Sequence, residues 1–481
     1  MKKILLPALL LAGVCLSCNS DDQSPASSII LKDYSKVPVL AIKQPGFENL
    51  EMYSLLTSDD TLKNSPAFIF GGSADGSGLI KSTDSTYTFL VNNEDNFAVS
   101  RITLDKTFKP VKGDYLLNSD GAQWRLCSAT LATKEEHGFG PLFMTSGESG
   151  EESQAHGLDP FASVSDAGKS KVLNGLGRLS GENPMPLNKN AYPGKTVIVI
   201  TDDDSGVYGG QVFMYVSNTV GDLENGSFYM LKRNDDNQKE IDMKVGTNYP
   251  VSFVKVDNHK TLTGAQINAK VADLKAIKFG RVEDIDYRKS GGAANRETYF
   301  TVTGQPFTGT NADASRTKYG RVYKLNLDEN DPLKGTLSVI LDGDDRNGKA
   351  GKFQNPDNIM VTDNYVYIEE DPNTYGDETH DSYLYQYNIN TGDLKVVLEL
   401  DHRRTKADAA KYNVGGASKF GSWEYGGFID VSNQIGVPNT FMLCIQPHTW
   451  TGNRYKGVDG GSKRLSENQA SQIVLIKGLA K

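Results

Sequence analysis

Apolar and polar residues alternate with a period of two in many stretches of this chain. Stretches such as TYTFLVNNED (86–95), TVIVITDDD (196–204), GQVFMYVSN (210–218), GRVYKLNLD (320–328), SYLYQYNIN (382–390) and QIVLIKG (472–478) place β-branched and aromatic residues on every second position, with Gly, Asn and Asp between the runs. A period of two with turn-forming punctuation predicts strands joined by short turns, an all-β chain. Consecutive runs, for example YVYIEED, SYLYQYN and GDLKVVLEL, have the form of inner, middle and outer strands of one propeller blade, and about six such units fit. The expected fold is therefore a β-propeller of about six blades. One segment departs from the pattern: in GAQINAKVADLKAI (264–277) apolar residues recur at three- and four-residue spacing, which predicts a helix. Residues 151–170 and 402–420 are polar and rich in glycine or charge, and are expected as long loops over one face.

The first forty residues do not follow the alternation. Lys2 and Lys3 precede an apolar run from Ile4 to Val14 that ends in Leu16-Ser17-Cys18. That run is too short to remain as a membrane span and reads as a secretory signal. Leu-Ser-Cys resembles a bacterial lipobox, which implies cleavage after residue 17 and lipidation of Cys18. The expected organisation is a signal peptide (1–17), a lipidated cysteine with a flexible tether (18–40), and a single propeller domain (41–481). Ser20-Asp21-Asp22 resembles an export signal of Bacteroidetes surface lipoproteins, so the expected location is the outer membrane, with its periplasmic and surface faces both open.

Composition narrows the partners. The net charge is −9, and removing the two lysines of residues 1–17 leaves the remainder near −11. An acidic protein is a poor partner for nucleic acid, and the membrane is expected to meet it through the lipid alone. A monomer is expected. Two cysteines, Cys127 and Cys444, remain for the folded body. In an oxidising compartment they would form a disulfide, unless Cys127 is held as a thiolate by metal.

Candidate chemistry lies in six residues spread over three hundred positions, each beside a strand-like run: Cys127, Glu148, Glu182, Glu283, Asp357 and Glu424. In a propeller the innermost strands line one channel, so residues near their ends converge although they are far apart in sequence. Converging carboxylates repel one another unless cations hold them. Carboxylate oxygens suit hard cations such as Ca²⁺, and a thiolate beside them suits a transition metal such as iron. The acids Asp202-Asp203-Asp204 and the run DGDDRNG (342–348) are expected as solvated turns rather than Ca²⁺ sites, and the six histidines as loop residues.

The order of these segments resembles that of the PhoX-type alkaline phosphatases, secreted β-propeller enzymes carrying calcium and iron. The resemblance runs from about Phe47 to Trp450 through LVNNEDNFAVSRITLD (90–105), WRLCSAT (124–130), FMTSGES (143–149), GLGRLSGEN (175–183), FGRVEDID (279–286), FQNPDNIMV (353–361), IEEDP (368–372), SWEYGGFID (422–430) and FMLCIQPH (441–448). It implies that Cys127 ligates iron, that Glu148, Glu182, Glu283, Asp357 and Glu424 ligate metal, and that Arg281 meets substrate phosphate, with Arg281 and Glu283 as the catalytic pair. The implied cofactors are Ca²⁺ and Fe³⁺, the implied partner is a phosphorylated small molecule, and the implied reaction is metal-assisted hydrolysis of phosphate esters at the channel mouth. This sequence departs from the family at Asn93 and Gly181, where histidines are usual, and at Ser149, where a second acid is usual. A non-catalytic reading stands beside this one: an anchored propeller that binds a glycan or protein partner and keeps metals as struts.

Overall fold

The computed structural model describes Met1 and residues 29–83, 85–310 and 312–481. The signal segment and Cys18 lie outside the described residues. Strands dominate, and they follow one another as antiparallel meanders. The first is Ala74–Thr83, Thr86–Asn93, Ala98–Asp105 and Pro110–Leu117, and the second is Leu126–Ala132, Leu142–Gly147 and Ala155–Leu158. The third runs from Gly181–Pro186 to Asn248–Lys255, the fourth from Val282–Tyr287 to Lys334–Asp342, and the fifth from Pro356–Val361 to Leu394–Leu400. The last meander holds Glu424–Asp430, Thr440–Gln446 and Gln472–Lys477, and is completed by the early strand Glu51–Thr57.

The six first strands of these meanders touch in a closed ring, each against the next and Glu424–Asp430 back against Ala74–Thr83. This is a β-propeller. The expectation of about six separate blades differs from the hydrogen bonding, which divides the strands into five sheets. The strand Asn248–Lys255 pairs on one edge with Ser227–Arg233 and on the other with Lys334–Asp342, so the third and fourth meanders share one nine-stranded sheet. That pairing satisfies two strand edges that would otherwise stand open.

Apolar side chains fill the spaces between neighbouring meanders. Ile198, Ile200, Phe213 and Tyr215 of the third meet Met144 and Ala155 of the second, with Ile267 and Val271 of the helix Gly264–Leu274 covering them. That helix is the predicted one, and it opens with a reciprocal cap between Thr263 and Gln266. Two expected loops are more ordered than anticipated. Residues 151–170 contain the strand Ala155–Leu158, and 402–420 contain a helical turn, Ala409–Tyr412. The tether expectation for 18–40 also fails over its described part. Leu31 and Tyr34 pack on the core, Asp33 accepts from the Ser54 amide at 2.8 Å, and the Leu40 amide donates to Gln472 at 2.8 Å, so the folded body begins before residue 41.

Candidate functional site

Each of the six first strands carries an acid or thiol at its first or second residue: Asp75, Cys127, Glu182, Glu283, Asp357 and Glu424. Just beyond each of these residues the pairing to the next strand slips, between 74 and 77, 126 and 129, 181 and 184, 282 and 285, 356 and 359, and 425 and 428. An extra residue in one strand bends it and re-aims the side chain beside it. Six such irregularities at equivalent places turn six side chains toward the same space. The following positions, Ser128, Asn183, Asp284 and Asn358, fix the ring beneath. Asn183 donates to Asp284 at 2.7 Å, Asn358 donates to Asp75 at 2.7 Å, and the Ser128 hydroxyl meets Asn358 Oδ1 at 3.2 Å. Gly76 lets the first strand approach the backbone of Cys127 and Ala129 so closely that a Cβ would stand 2.3 Å from the Ala129 amide.

The space is a cavity of about 350 Å³ whose lining includes all six sequence-derived metal ligands, Arg281, and Asp75, Glu94, Asp371, Arg125 and His448. Ligand atoms fall within 4.8 Å of one another in four groups: Asp75, Cys127 and Glu182; Glu94, Cys127 and Glu148; Glu182, Glu283 and Asp357; Asp357, Asp371 and Glu424. Shared members make this one continuous oxygen and sulfur surface rather than separate sites.

Its electrostatics are those of a site short of positive charge. Burial and the nearness of other carboxylates push Asp75, Glu148, Glu182, Glu283, Asp357 and Glu424 well above the usual carboxylate range. Burial first, then Glu148, also pushes the Cys127 thiol up. The thiol donates to Glu148 Oε2 at 2.7 Å, and Glu182 Oε1 accepts from the Ser128 amide at 3.0 Å and hydroxyl at 2.7 Å. These few donors leave most of the oxygens facing one another, so the group must take up protons or cations. The donor set fits both implied metals: hard oxygens for calcium, and one buried sulfur among them for iron. Cys127 and Cys444 are both buried free thiols, so the disulfide alternative does not hold.

Arg281 sits on the cleft in a left-handed backbone conformation (φ 69°), uncommon for a residue with a Cβ. Its guanidinium is not open. Nε and Nη2 grip Asp203 at 2.6 and 2.9 Å, Nη2 lies 3.1 Å from Glu283 and Nη1 donates to Asn373 at 2.7 Å. Asp203 had been expected in a solvated turn, yet it and Asp202 are buried. The other acidic run is likewise used structurally: Asp342 pairs with Arg321 at 2.8 Å and Asp344 accepts from the amides of Lys318 and Tyr319. At the rim Arg125, which the sequence did not single out, meets Glu94 at 3.1 Å and Asp95 at 3.5 Å.

His448 is the histidine that reaches the site, with Nε2 3.0 Å from Glu424 Oε1 and Nδ1 2.6 Å from Gln469 Oε1. His137 and His156 are buried in a helix and a strand instead of loops. Of the departures from the family pattern, Gly181 lies against Ser146, whose Oγ would stand 2.1 Å from a Cβ there and would have to turn away.

Residues 156–418, more than half of the chain, match the family model described as alkaline phosphatase PhoX. The chain belongs to the PhoX alkaline phosphatase family. The matched segment carries Glu182, Arg281, Glu283, Asp357 and Asp371, while Asp75, Cys127, Glu148 and Glu424 flank it. Among solved structures, PhoX of Pseudomonas fluorescens in complex with vanadate, a transition state analogue, aligns with a TM-score of 0.60 over 89% of this chain and 95% of that one, at 13% identity. An α-L-arabinofuranosidase of Fusarium graminearum aligns with a TM-score of 0.40 over 88% and 97%, at 12% identity. The first likeness supports the propeller fold of a PhoX member. No curated protein sequence matches the chain.

Proposed function

We propose that this PhoX member is a metal-dependent phosphatase that hydrolyses phosphate esters in the cleft at the mouth of the propeller channel. The observation that carries this reading is the ring of six ligand residues, one per first strand, converging on a cavity with too few donors of its own. What calcium and iron supply when bound is Lewis acidity toward phosphate oxygens. Asp75, Cys127, Glu94, Glu148, Glu182, Glu283, Asp357, Asp371 and Glu424 would hold them.

The chain's own groups do the rest. Glu148 Oε2 accepts the hydrogen bond of the Cys127 thiol and so holds the sulfur in place among the carboxylates. Ser128 fixes the orientation of Glu182. Asp203 and Asn373 hold Arg281 so that its charge is set in place before an anion arrives, which lowers the reorganisation needed on binding. Arg125, more exposed at the rim, draws the anion in, since an acidic protein otherwise repels it. His448 Nε2 lies 3.0 Å from Glu424 Oε1 and fixes the orientation of that carboxylate at the cleft. The Pseudomonas fluorescens protein binds vanadate, a transition state analogue, which supports a phosphoryl group as the species this cleft would accommodate.

No helix among the described residues is long and apolar enough to cross a membrane. Attachment through a lipidated Cys18, with residues 19–28 linking it to the body at Ile29, is the location we propose. The test is direct: purified protein loaded with calcium and iron hydrolyses p-nitrophenyl phosphate, and vanadate inhibits it. If the loaded protein hydrolyses no phosphomonoester, phosphodiester or phytate above solvent background, the cleft is a binding site with metals as struts.

A further inference from the structure

A second group of acceptors lies outside the cleft, between the second and third meanders. Asp202 ends the strand Thr196–Asp202, and Gln211, which opens Gln211–Ser217, stands directly opposite it in register. Both are 0% exposed. They share a face with Ile200 and Phe213, the face packed on the second meander, so they cap the polar end of that apolar cluster. Ser146 of the facing strand closes it from the other side, its hydroxyl lying over Gly181, the residue paired with Asp202.

Neither Asp202 oxygen has a hydrogen bond of good geometry, the backbone amides of Ser180 and Gln211 only approaching the carboxylate, and Gln211 Oε1 has no partner. The amide cannot be turned to help. Gln211 Nε2 donates to the carbonyls of Tyr208 and Gly209, both at 3.2 Å, which fixes Oε1 on the opposite side. Directly opposed side chains on one sheet face have Cβ atoms about 5 Å apart. Three acceptor oxygens are thus enclosed together with only two approaching backbone amides among them. Asn268 of the covering helix donates to Asp204 and to Glu151 at 3.1 Å, leaving its own Oδ1 buried and without a partner beside the same acidic run. An enclosed set of unpaired oxygens is costly unless a cation completes it.

We propose that Asp202 and Gln211, with Ser146 and Asn268 bordering, form a separate site for a hard divalent cation of the calcium class at this boundary. The neighbouring residue, Asp203, grips Arg281. The cation would therefore anchor the strand end that holds Arg281 over the cleft without being part of it.

The experiment uses the full holoprotein and calcium alone as the probe. After equilibration in calcium buffer, elemental analysis of wild type and Asp202→Asn is compared, and thermal unfolding is followed in calcium and in EGTA. The expected result is about one calcium fewer per chain in Asp202→Asn with iron unchanged, and a smaller calcium-induced rise in Tm. Equal calcium content in the two proteins would overturn the site and leave Asp202 as a neutral buried acid. Gln211→Glu separates the readings even if Asp202→Asn does not fold. With a cation between them, a second carboxylate tightens calcium binding by about tenfold and raises Tm in calcium. A Tm lowered equally in calcium and in EGTA would mean two acids facing each other with nothing between, and the proposal fails.

Discussion

Glu283, second residue of an inner strand, and Glu370, last residue of the second strand of the fifth meander (Tyr365–Glu370), are both buried glutamates, and their surroundings are opposite. Glu370 accepts from the amides of Gln354 and Tyr383, both at 2.8 Å, from the Tyr385 hydroxyl at 2.9 Å and from His380 Nε2 at 3.1 Å. Glu240 is held in the same way, by the Gly280 and Thr317 amides and the Tyr323 hydroxyl. Glu283 faces Arg281 and otherwise Asp203, Asp357 and Glu182. A buried carboxylate surrounded by donors is satisfied as a structural strut, and one surrounded by other carboxylates calls for protons or cations. What distinguishes a site from a scaffold here is the supply of donors, since residue type and burial are the same.

The largest effects should come from exchanging charge in the two settings. Glu283→Gln is expected to lower phosphatase turnover at least about 100-fold and to reduce bound metal, while making the metal-free protein more stable, because one mutually repelling charge is gone. Glu370→Gln should retain metal and turnover per folded molecule but lose about 2–4 kcal/mol of stability, read by denaturant unfolding. If both variants lose metal alike, the contrast is void.

Chelation should be next in size, and its pH dependence sharpens the contrast. In the metal-free protein the cleft carboxylates have raised pKa values. Their stabilising contribution is complete below the ordinary carboxylate range and is lost as pH rises through the raised values. Asp284, just under the cleft, is raised to about 7 by burial, so its own loss falls between about pH 4 and pH 7. The fall in Tm caused by chelator should therefore be greater at pH 8 than at pH 5. An equal fall at both pH values would mean that protons do not substitute for the cations.

Arg281→Ala comes third. It should leave metal in place and raise KM for a phosphomonoester about tenfold, because the pinned guanidinium contributes charge near the ester. Metal loss in this variant would recast Arg281 as a brace for Asp203 and Glu283 alone.

The smallest effect should arise far from the cleft. Burial lowers His137 and His156 to about 4. Above pH 6.5 both are neutral folded or unfolded. As pH falls from 6.5 through about 4 the unfolded chain binds protons that the folded one refuses, so stability declines. His156→Gln should flatten that decline in part, with no change in metal content, measured by urea unfolding across the range.

Much of this was legible in the sequence. The two-residue alternation gave the strands, and the helix expected over 264–277 from its spacing forms over Gly264–Leu274. All six residues taken as metal ligands line the one cavity. Asp75 was passed over because ADGSG reads as a turn, although it holds the same second position in its strand as Cys127, Glu182, Glu283 and Asp357. A search for a strand-opening acid or thiol followed by Gly, Ser, Asn or Asp would have found it. Asp203 and His448 were hidden for a different reason: their meaning depends on partners 78 and 24 residues away, Arg281 and Glu424, which no local pattern records. The count of separate sheets depended on the edge pairing of Asn248–Lys255, which alternation alone does not specify.

The strand Glu51–Thr57 completes the sheet that ends with Gln472–Lys477. A pairing that spans almost the whole chain is the last that a chain emerging in order can make, and long-range pairings of this kind form slowly. Glu424 belongs to that same final sheet, so the ring of ligands lacks one member until it closes. A time order follows: the carboxylates are kept apart on the nascent polypeptide, and the cleft's cation site proposed above would be complete only once Glu51–Thr57 and Gln472–Lys477 have met.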